Sequence, residues 1–252
     1  MEVLGIDVGG SGIKGAIVNL KSGKLATDRI RHPTPQPATP SSVSRTIAKI
    51  TSELDWNGPV GVGFPAVIKK NLALNAANVS NSWIGIDAVK VISKATGCKV
   101  TVLNDADAAA LAECEYGKRK INKGLVVFVT VGTGLGTALL YNGVLIPNIE
   151  LGNVYLKKFG NGEQYAANSA RERNHLSWEK WAKRFNRYLE ELDNLLYPDE
   201  FVIGGGVSNN PELFVKYLKL KTPVGMATLK NEAGIVGAAL AAYSDVRKKA
   251  NG

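Results

Sequence analysis

Leu4-Gly5-Ile6-Asp7-Val8-Gly9-Gly10-Ser11-Gly12-Ile13-Lys14-Gly15 is a strand that runs through glycines straight into a second strand, Ala16-Ile17-Val18. A looser copy lies near the middle of the chain. It reads Phe128-Val129-Thr130-Val131-Gly132-Thr133-Gly134-Leu135-Gly136 and continues into Ala138-Leu139-Leu140. Asp7 and Thr130 hold matching positions. Glycine lets backbone amides approach phosphate oxygens with no Cβ in the way. In the first copy Ser11 adds a hydroxyl, Lys14 a positive charge, and Asp7 a carboxylate able to hold Mg2+ through water. Thr130 and Thr133 add donors to the second copy. Gly9, Gly10, Ser11, Gly12, Lys14, Thr133 and Gly134 are therefore candidate phosphate ligands. The pattern is neither the dinucleotide fingerprint, since a strand and not a helix follows the glycines, nor a Walker A loop. For either copy alone, a hairpin whose glycines only supply positive φ remains the other reading. Two copies, one per half, imply two lobes that clasp one phosphorylated ligand.

Further polar residues sit at the ends of apolar runs. Val100-Thr101-Val102-Leu103 reads as a buried strand, followed by Asn104-Asp105-Ala106-Asp107 and an alanine-rich helix to about Glu115. The carboxyl ends of strands are where α/β proteins commonly bind ligands. Asp105 there can take a hydroxyl proton and Asn104 can hold a sugar, while one of Asp105 and Asp107 can equally be a helix cap. Glu150 and Asn153, three apart, are either sugar ligands or part of a polar loop. Gly204-Gly205-Gly206 sits between a strand and an expected helix, and either permits close backbone approach by a nucleotide or phosphate chain, with Gly205 the candidate ligand, or is a tight packing turn. Ala233-Gly234-Ile235-Val236-Gly237-Ala238-Ala239 reads as a packing helix.

The remaining pattern fills in a scaffold. His32 to Pro40, with four prolines, reads as an extended surface loop, and Ser41 as the cap of a helix carrying Val43, Ile47, Ile50 and Leu54. One long helix is expected over Ala166–Tyr197, with Trp178, Trp181, Phe185, Tyr188, Leu192 and Leu195 on its apolar side. Lys180, Lys183, Arg184 and Arg187 would form a basic stripe opposite, a solvated face or a track for a long polyanion. Another helix is expected after Pro211 and a last one over Ala233–Tyr243. Hairpins, strands and crossover helices in this order indicate α/β architecture with mixed sheets in two lobes. The expected division is 1–118 and 119–252, with a hinge near Lys118–Gly124 and the last helix packing back on the first lobe.

Bulk composition narrows the function classes. In 252 residues, 45% hydrophobic and 21% charged content describes a globular chain and excludes disorder. No apolar run approaches the ~18 residues of a membrane span. The strand at the N-terminus leaves no room for a signal peptide, so a cytoplasmic protein is expected. Cys98 and Cys114 read as reduced core thiols. His32 and His175 are too far apart in sequence to suggest a histidine metal site. A net charge of +9 favours polyanions: nucleic acid, an anionic membrane or a phosphate chain. No nucleic-acid module is legible, so no nucleic acid and no membrane partner are expected.

Asp7-Val8-Gly9-Gly10-Ser11-Gly12-Ile13-Lys14-Gly15, Leu103-Asn104-Asp105 and Gly132-Thr133-Gly134-Leu135-Gly136 together resemble the phosphate loops and catalytic segment of the repressor, open-reading-frame, kinase (ROK) sugar kinases. Ala77-Asn78-Val79-Ser80-Asn81-Ser82-Trp83-Ile84-Gly85, Arg171-Glu172-Arg173-Asn174 and Leu176-Ser177-Trp178-Glu179 resemble the branch that uses polyphosphate, or polyphosphate and ATP, on glucose or mannose. The resemblance implies an actin-like ATPase (ribonuclease H-like) fold, two lobes around a central cleft. It implies phosphoryl transfer from polyphosphate or ATP to the 6-hydroxyl of glucose. Asp105 would be the base, Asn104 and Glu150 sugar ligands, and Mg2+ would bridge the donor phosphates near Asp7. A homodimer is implied as well. The family's Glu-x-Gly-His is Glu150-Leu151-Gly152-Asn153 here, which leaves Asn153 in the histidine's place. Glu163 matches a further sugar-binding glutamate. The zinc cluster of many members is absent, and the chain begins at the phosphate loop without a preceding DNA-binding domain, which reads as a kinase and not a repressor. A non-catalytic sugar or polyphosphate sensor on the same scaffold is the alternative that Asn153 motivates.

Overall fold

The computed structural model describes residues 1–250, with side chains through Asp245. The chain divides into two compact units: residues 1–116 with 232–252, and residues 117–231. The division from sequence ended the first lobe at residue 118 and gave 119–252 to the second, with the last helix packing back on the first. In the structure the segment after Asn231 belongs to the first unit.

The first unit holds β1 (Glu2–Val8), β2 (Ile13–Asn19), β3 (Lys24–Leu25), β4 (Ile30–His32), α1 (Pro40–Glu53), β5 (Val60–Phe64), the small hairpin of β6 (Ile68–Lys69) and β7 (Leu72–Ala73), α2 (Ala88–Thr96), β8 (Val100–Asn104) and α3 (Asp105–Tyr116). Its sheet runs β3-β2-β1-β5-β8, with β4 also paired to β2. β1 and β2 are antiparallel, whereas β1, β5 and β8 are parallel. β1 and β5, in the middle of the sheet, are buried along almost their whole length, which is why they are mostly apolar. Val43, Ile47 and Ile50 of α1 and Ile92 of α2 close one face. The other face takes α7 (Ala233–Ala250), which packs on β1, β5 and α3. Small residues explain that fit: a Cβ on Gly61 would lie 1.8 Å from the Ala238 carbonyl oxygen, and one on Gly237 would lie 1.7 Å from that of Ala108.

The second unit contains β9 (Leu125–Val131), β10 (Leu135–Tyr141), β11 (Val144–Ile146), β12 (Tyr155–Leu156), β13 (Gly160–Asn161), α4 (Gly162–Ala166), α5 (Asn168–Arg173), α6 (Trp178–Leu196), β14 (Glu200–Gly204) and β15 (Val224–Met226). Its sheet runs β11-β10-β9-β14-β15. The order repeats that of the first unit: an antiparallel hairpin and its neighbour, then two parallel strands beside the hairpin's first strand. Two mixed sheets of one topology are the duplication expected of an actin-like ATPase fold. Trp181, Phe185, Tyr188, Leu189 and Leu192 of α6 pack with Val127, Val129 and Ile203 of the sheet.

Four local expectations are corrected. Thr39, not Ser41, caps α1, in a capping box with Ser42 and with Pro40 at the first helical position. The proline-rich segment is not all surface, because Thr34 and Ala38 are buried. The long helix is broken: Ala167 is extended between α4 and α5, and His175 has φ 48°. Ser177 then accepts the Lys180 N–H and starts α6 afresh, and Leu195 is 56% exposed rather than on the apolar face. After Pro211 only 3-10 turns form, Pro211–Leu213 and Val215–Tyr217. Between them Phe214 leaves helical geometry, fully buried with its ring against Trp181, so tertiary burial outweighs helix propensity there.

Candidate functional site

The first glycine loop joins β1 to β2. The Gly9 N–H donates to the Gly12 carbonyl at 3.0 Å and closes the turn. Asp7 and Lys14 are directly opposed in the β1–β2 ladder, and Lys14 Nζ lies 3.2 Å from Asp7 Oδ2. The Asp7 carboxylate also faces Gly234 in the first turn of α7, where a Cβ would come 2.9 Å from Asp7 Cγ. A helix N-terminus favours a carboxylate. Three residues from outside the loop surround it. Thr34 Oγ1 donates to the Gly9 carbonyl, Arg31 Nη2 donates to the Ser11 carbonyl at 2.9 Å, and Asn78 lies against Gly10. Asn78, at φ 60°, belongs to the stretch that carried the resemblance, whereas Arg31 and Thr34 reach the loop by strand pairing and chain return, with no sequence signal.

Asn104 ends β8 and Asp105 begins α3. The cap is neither aspartate. Asn104 Oδ1 accepts the N–H groups of Ala106 at 2.8 Å and Asp107 at 3.1 Å, and its amide donates to the Ala66 carbonyl at 3.3 Å. Asn104 and Asp107 are buried, while Asp105 is only partly so. Asp105 Oδ1 accepts the Ala106 N–H at 2.9 Å. The geometry fixes Asp105 as the first helical residue, and Asn104 carries the capping duty.

In the second unit, the sugar candidates gather on the second glycine loop. Glu163 Oε2 accepts the Leu135 N–H at 2.9 Å, and a Cβ on Gly134 would lie 2.3 Å from that oxygen. Gly152 packs on the Leu135 carbonyl, where a Cβ would lie at 2.1 Å. Buried Thr137 staples the same segment, donating to the Ile149 carbonyl at 2.6 Å and accepting the Leu151 N–H at 2.8 Å. Glu150 thus precedes a turn docked on the loop. Partial desolvation, then the neighbouring Glu163 carboxylate, raises the Glu150 pKa above the ordinary carboxylate value. Burial, then Glu163, also raises that of Tyr188, whose hydroxyl has no hydrogen-bond partner among the described residues. Asn153 Oδ1 accepts from Asn161 Nδ2 at 3.2 Å, and Asn161 in turn caps α4. Ser169 holds the loop from the other side, its hydroxyl donating to the Thr133 carbonyl at 2.6 Å. Gly205, at φ 75°, lies against Val131 just before the loop, where a Cβ would come 2.6 Å from the backbone. Its immediate role is strand packing beside the loop.

The basic stripe on α6 is largely occupied. Lys183 pairs with Glu179 at 2.7 Å, Arg187 with Glu190 at 3.4 Å, and Arg184 lies over the Tyr165 ring. Cys98 and Cys114 are free thiols. Among the described residues no helix is long and apolar enough to cross a membrane, and no group of three or more His, Cys, Asp or Glu could hold a metal ion.

Against known proteins, the model of the ROK family matches residues 3–149. The polyphosphate glucokinase of Mycobacterium tuberculosis (strain H37Rv) is 50% identical over 243 residues, covering 96% of this chain and 91% of that protein. The crystal structure of inorganic polyphosphate/ATP-glucomannokinase from Arthrobacter sp. strain KM aligns with a TM-score of 0.93 at 43% identity, over 97% of this chain and 99% of that one. A ROK family glucokinase from Streptomyces griseus, in complex with glucose and AMPPNP, aligns with a TM-score of 0.81 over 97% of this chain and 100% of its own, at 22% identity, a likeness of fold alone.

Proposed function

This chain belongs to the ROK family, and we propose that it is a kinase moving a phosphoryl group from inorganic polyphosphate or ATP to the 6-hydroxyl of glucose. The observation that carries this reading is the 50% identity, over 96% of the chain, with a polyphosphate glucokinase. Fold alone would not choose among the many chemistries that one scaffold can host.

Asp105 takes the proton of the 6-hydroxyl as that oxygen bonds to phosphorus and the donor's P–O bond breaks. General-base help of this kind contributes about 10²–10⁴-fold. Asn104 holds the start of α3, and so Asp105, in place while lying beside the sugar. Glu150, Asn153 and Glu163 accept or donate to the sugar hydroxyls. Glu163 also holds Leu135, which ties sugar binding to the geometry of the second loop. Gly9, Gly10, Ser11, Gly12 and Lys14 of the first loop, Thr133 and Gly134 of the second, and Gly205 just after β14 face the donor phosphates.

Mg2+ is typically held by one or two carboxylates together with substrate phosphates and waters, and not by an all-protein cage. A single part-buried carboxylate at Asp7, beside a phosphate loop, fits that donor set. When bound, Mg2+ neutralises charge on the donor phosphates. Mannose as a second acceptor, a homodimer and a cytoplasmic setting complete the reading. The test is glucose 6-phosphate formation by the purified chain with Mg2+ and either donor. Product with polyphosphate is expected, product with ATP alone would remove the polyphosphate part, and no product with either would overturn the reading.

A further inference from the structure

Asp7, Lys14 and Arg31 lie on one rung of the first sheet. Asp7 opposes Lys14 across β1 and β2, and Lys14 opposes Arg31 across β2 and β4. Directly opposed residues project from the same face, with Cβ atoms about 4.5–5.5 Å apart. The rung therefore reads carboxylate, ammonium, guanidinium, going outward from the center of the sheet. The two cations differ in one respect. Lys14 is paired with Asp7, whereas Arg31 has no carboxylate partner among the described residues. The Arg31 guanidinium is exposed, lies against Gly12 and spends one donor on the Ser11 carbonyl. A guanidinium carries five N–H donors in a planar fork suited to phosphate oxygens.

We propose that Arg31 is a phosphate ligand for the donor, placed to hold a phosphate farther along a linear polyphosphate than the one at Lys14. Polyphosphate continues as phosphate after phosphate, whereas ATP ends its chain in adenosine. A cation at the outer end of the rung therefore favours the longer anion. The inference rests on the proposed kinase reading for the identity of the donors, and it places the longer anion on the first unit rather than on the α6 stripe, where Lys183 and Arg187 are paired with Glu179 and Glu190 and Arg184 lies over Tyr165.

The test uses the full chain and Arg31→Gln, which removes the charge while keeping an amide able to donate to Ser11. Polyphosphate binding is measured by titration calorimetry without sugar, and KM is measured for both donors. Loss of a charge-assisted bond is expected to weaken polyphosphate binding, and raise its KM, by about 10–100-fold, with the KM for ATP rising less than about threefold. Arg31→Lys should restore much of the loss. As a check needing no variant, polyphosphate should protect Arg31 of the wild-type protein from phenylglyoxal more than ATP does. Binding by Arg31→Gln within about twofold of wild type, an equal rise in both KM values, or equal protection by both donors overturns the inference. Wild-type protein that binds polyphosphate but forms no sugar phosphate would defeat the kinase reading and leave the Arg31 result standing. Wild-type protein that binds no polyphosphate overturns the Arg31 proposal, while ATP turnover would still support a kinase.

Discussion

The two glycine hairpins share a backbone plan and differ in everything their side chains present. In β1–β2 the rung before the loop is Asp7 opposite Lys14, and β4 extends it with Arg31. In β9–β10 the equivalent rung is Thr130 opposite Gly136, and the groups brought against that loop are the carboxylate of Glu163 and the hydroxyl of Ser169. One loop is dressed with cations, the other with an accepting carboxylate and a donating hydroxyl. The glycine stretches supply only the scaffold. What distinguishes the loops arrives largely from segments outside them: β4 and residue 78 for the first, residues 149–153, α4 and α5 for the second.

If the first hairpin handles the donor, Asp105 the proton and Glu150 the sugar, variants should separate kcat, donor KM and glucose KM. Asp105→Asn should lower kcat by about 10²–10⁴-fold, with thermal unfolding nearly unmoved because Asn104 holds the cap. A fall below tenfold in steady-state assays would remove Asp105 from the chemistry. Lys14→Ala should raise the KM of both donors by about 10–100-fold and leave that of glucose nearly unchanged. A matching rise for glucose would erase the distinction between the hairpins. Glu150→Gln should do the reverse, raising glucose KM about tenfold at constant donor KM.

A pH series sharpens the last case. Glu150 has a raised pKa, so it takes up its proton at higher pH than an ordinary glutamate. Glucose KM should rise as pH falls through that pKa, because the ionised form accepts the sugar hydroxyls. Glu163→Gln removes a neighbouring negative charge and should move this limb to lower pH. A limb that stays put would detach Glu150 from the sugar. The smallest effect is expected from neutralising Lys180, Lys183, Arg184 and Arg187 together. As a track for a long polyanion, the stripe would give a selective loss of polyphosphate use. With Lys183 and Arg187 already in surface pairs, both donor KM values should stay within about threefold.

Legibility followed sequence distance. Both hairpins were readable because β-branched runs meet glycine clusters within a dozen residues. The Asn104-Asp105 junction was readable as a strand-to-helix turn, but not which residue would cap, since Asn and Asp serve equally well in that position. The contact of Glu163 with Leu135 spans 28 residues, and that of Arg31 with Ser11 spans 20, the second through a strand only three residues long. No local periodicity encodes such a register. The same limit explains the helix expected through residues 174–177. Apolar spacing carried across it, while a left-handed His175 and the Ser177 cap broke the chain there.

The return of α7 to the first unit has a consequence for synthesis. The ribosome delivers β1 and β5 early, but the helix that covers Gly5 and Gly61 is made only after the whole of residues 117–231 has emerged. At ordinary elongation rates one face of the first sheet therefore waits on the order of ten seconds for its cover. The second unit, continuous in sequence, can complete itself within that interval. Its birth order is the inverse of its place in the chain, and the nascent first half is the part most in need of a chaperone.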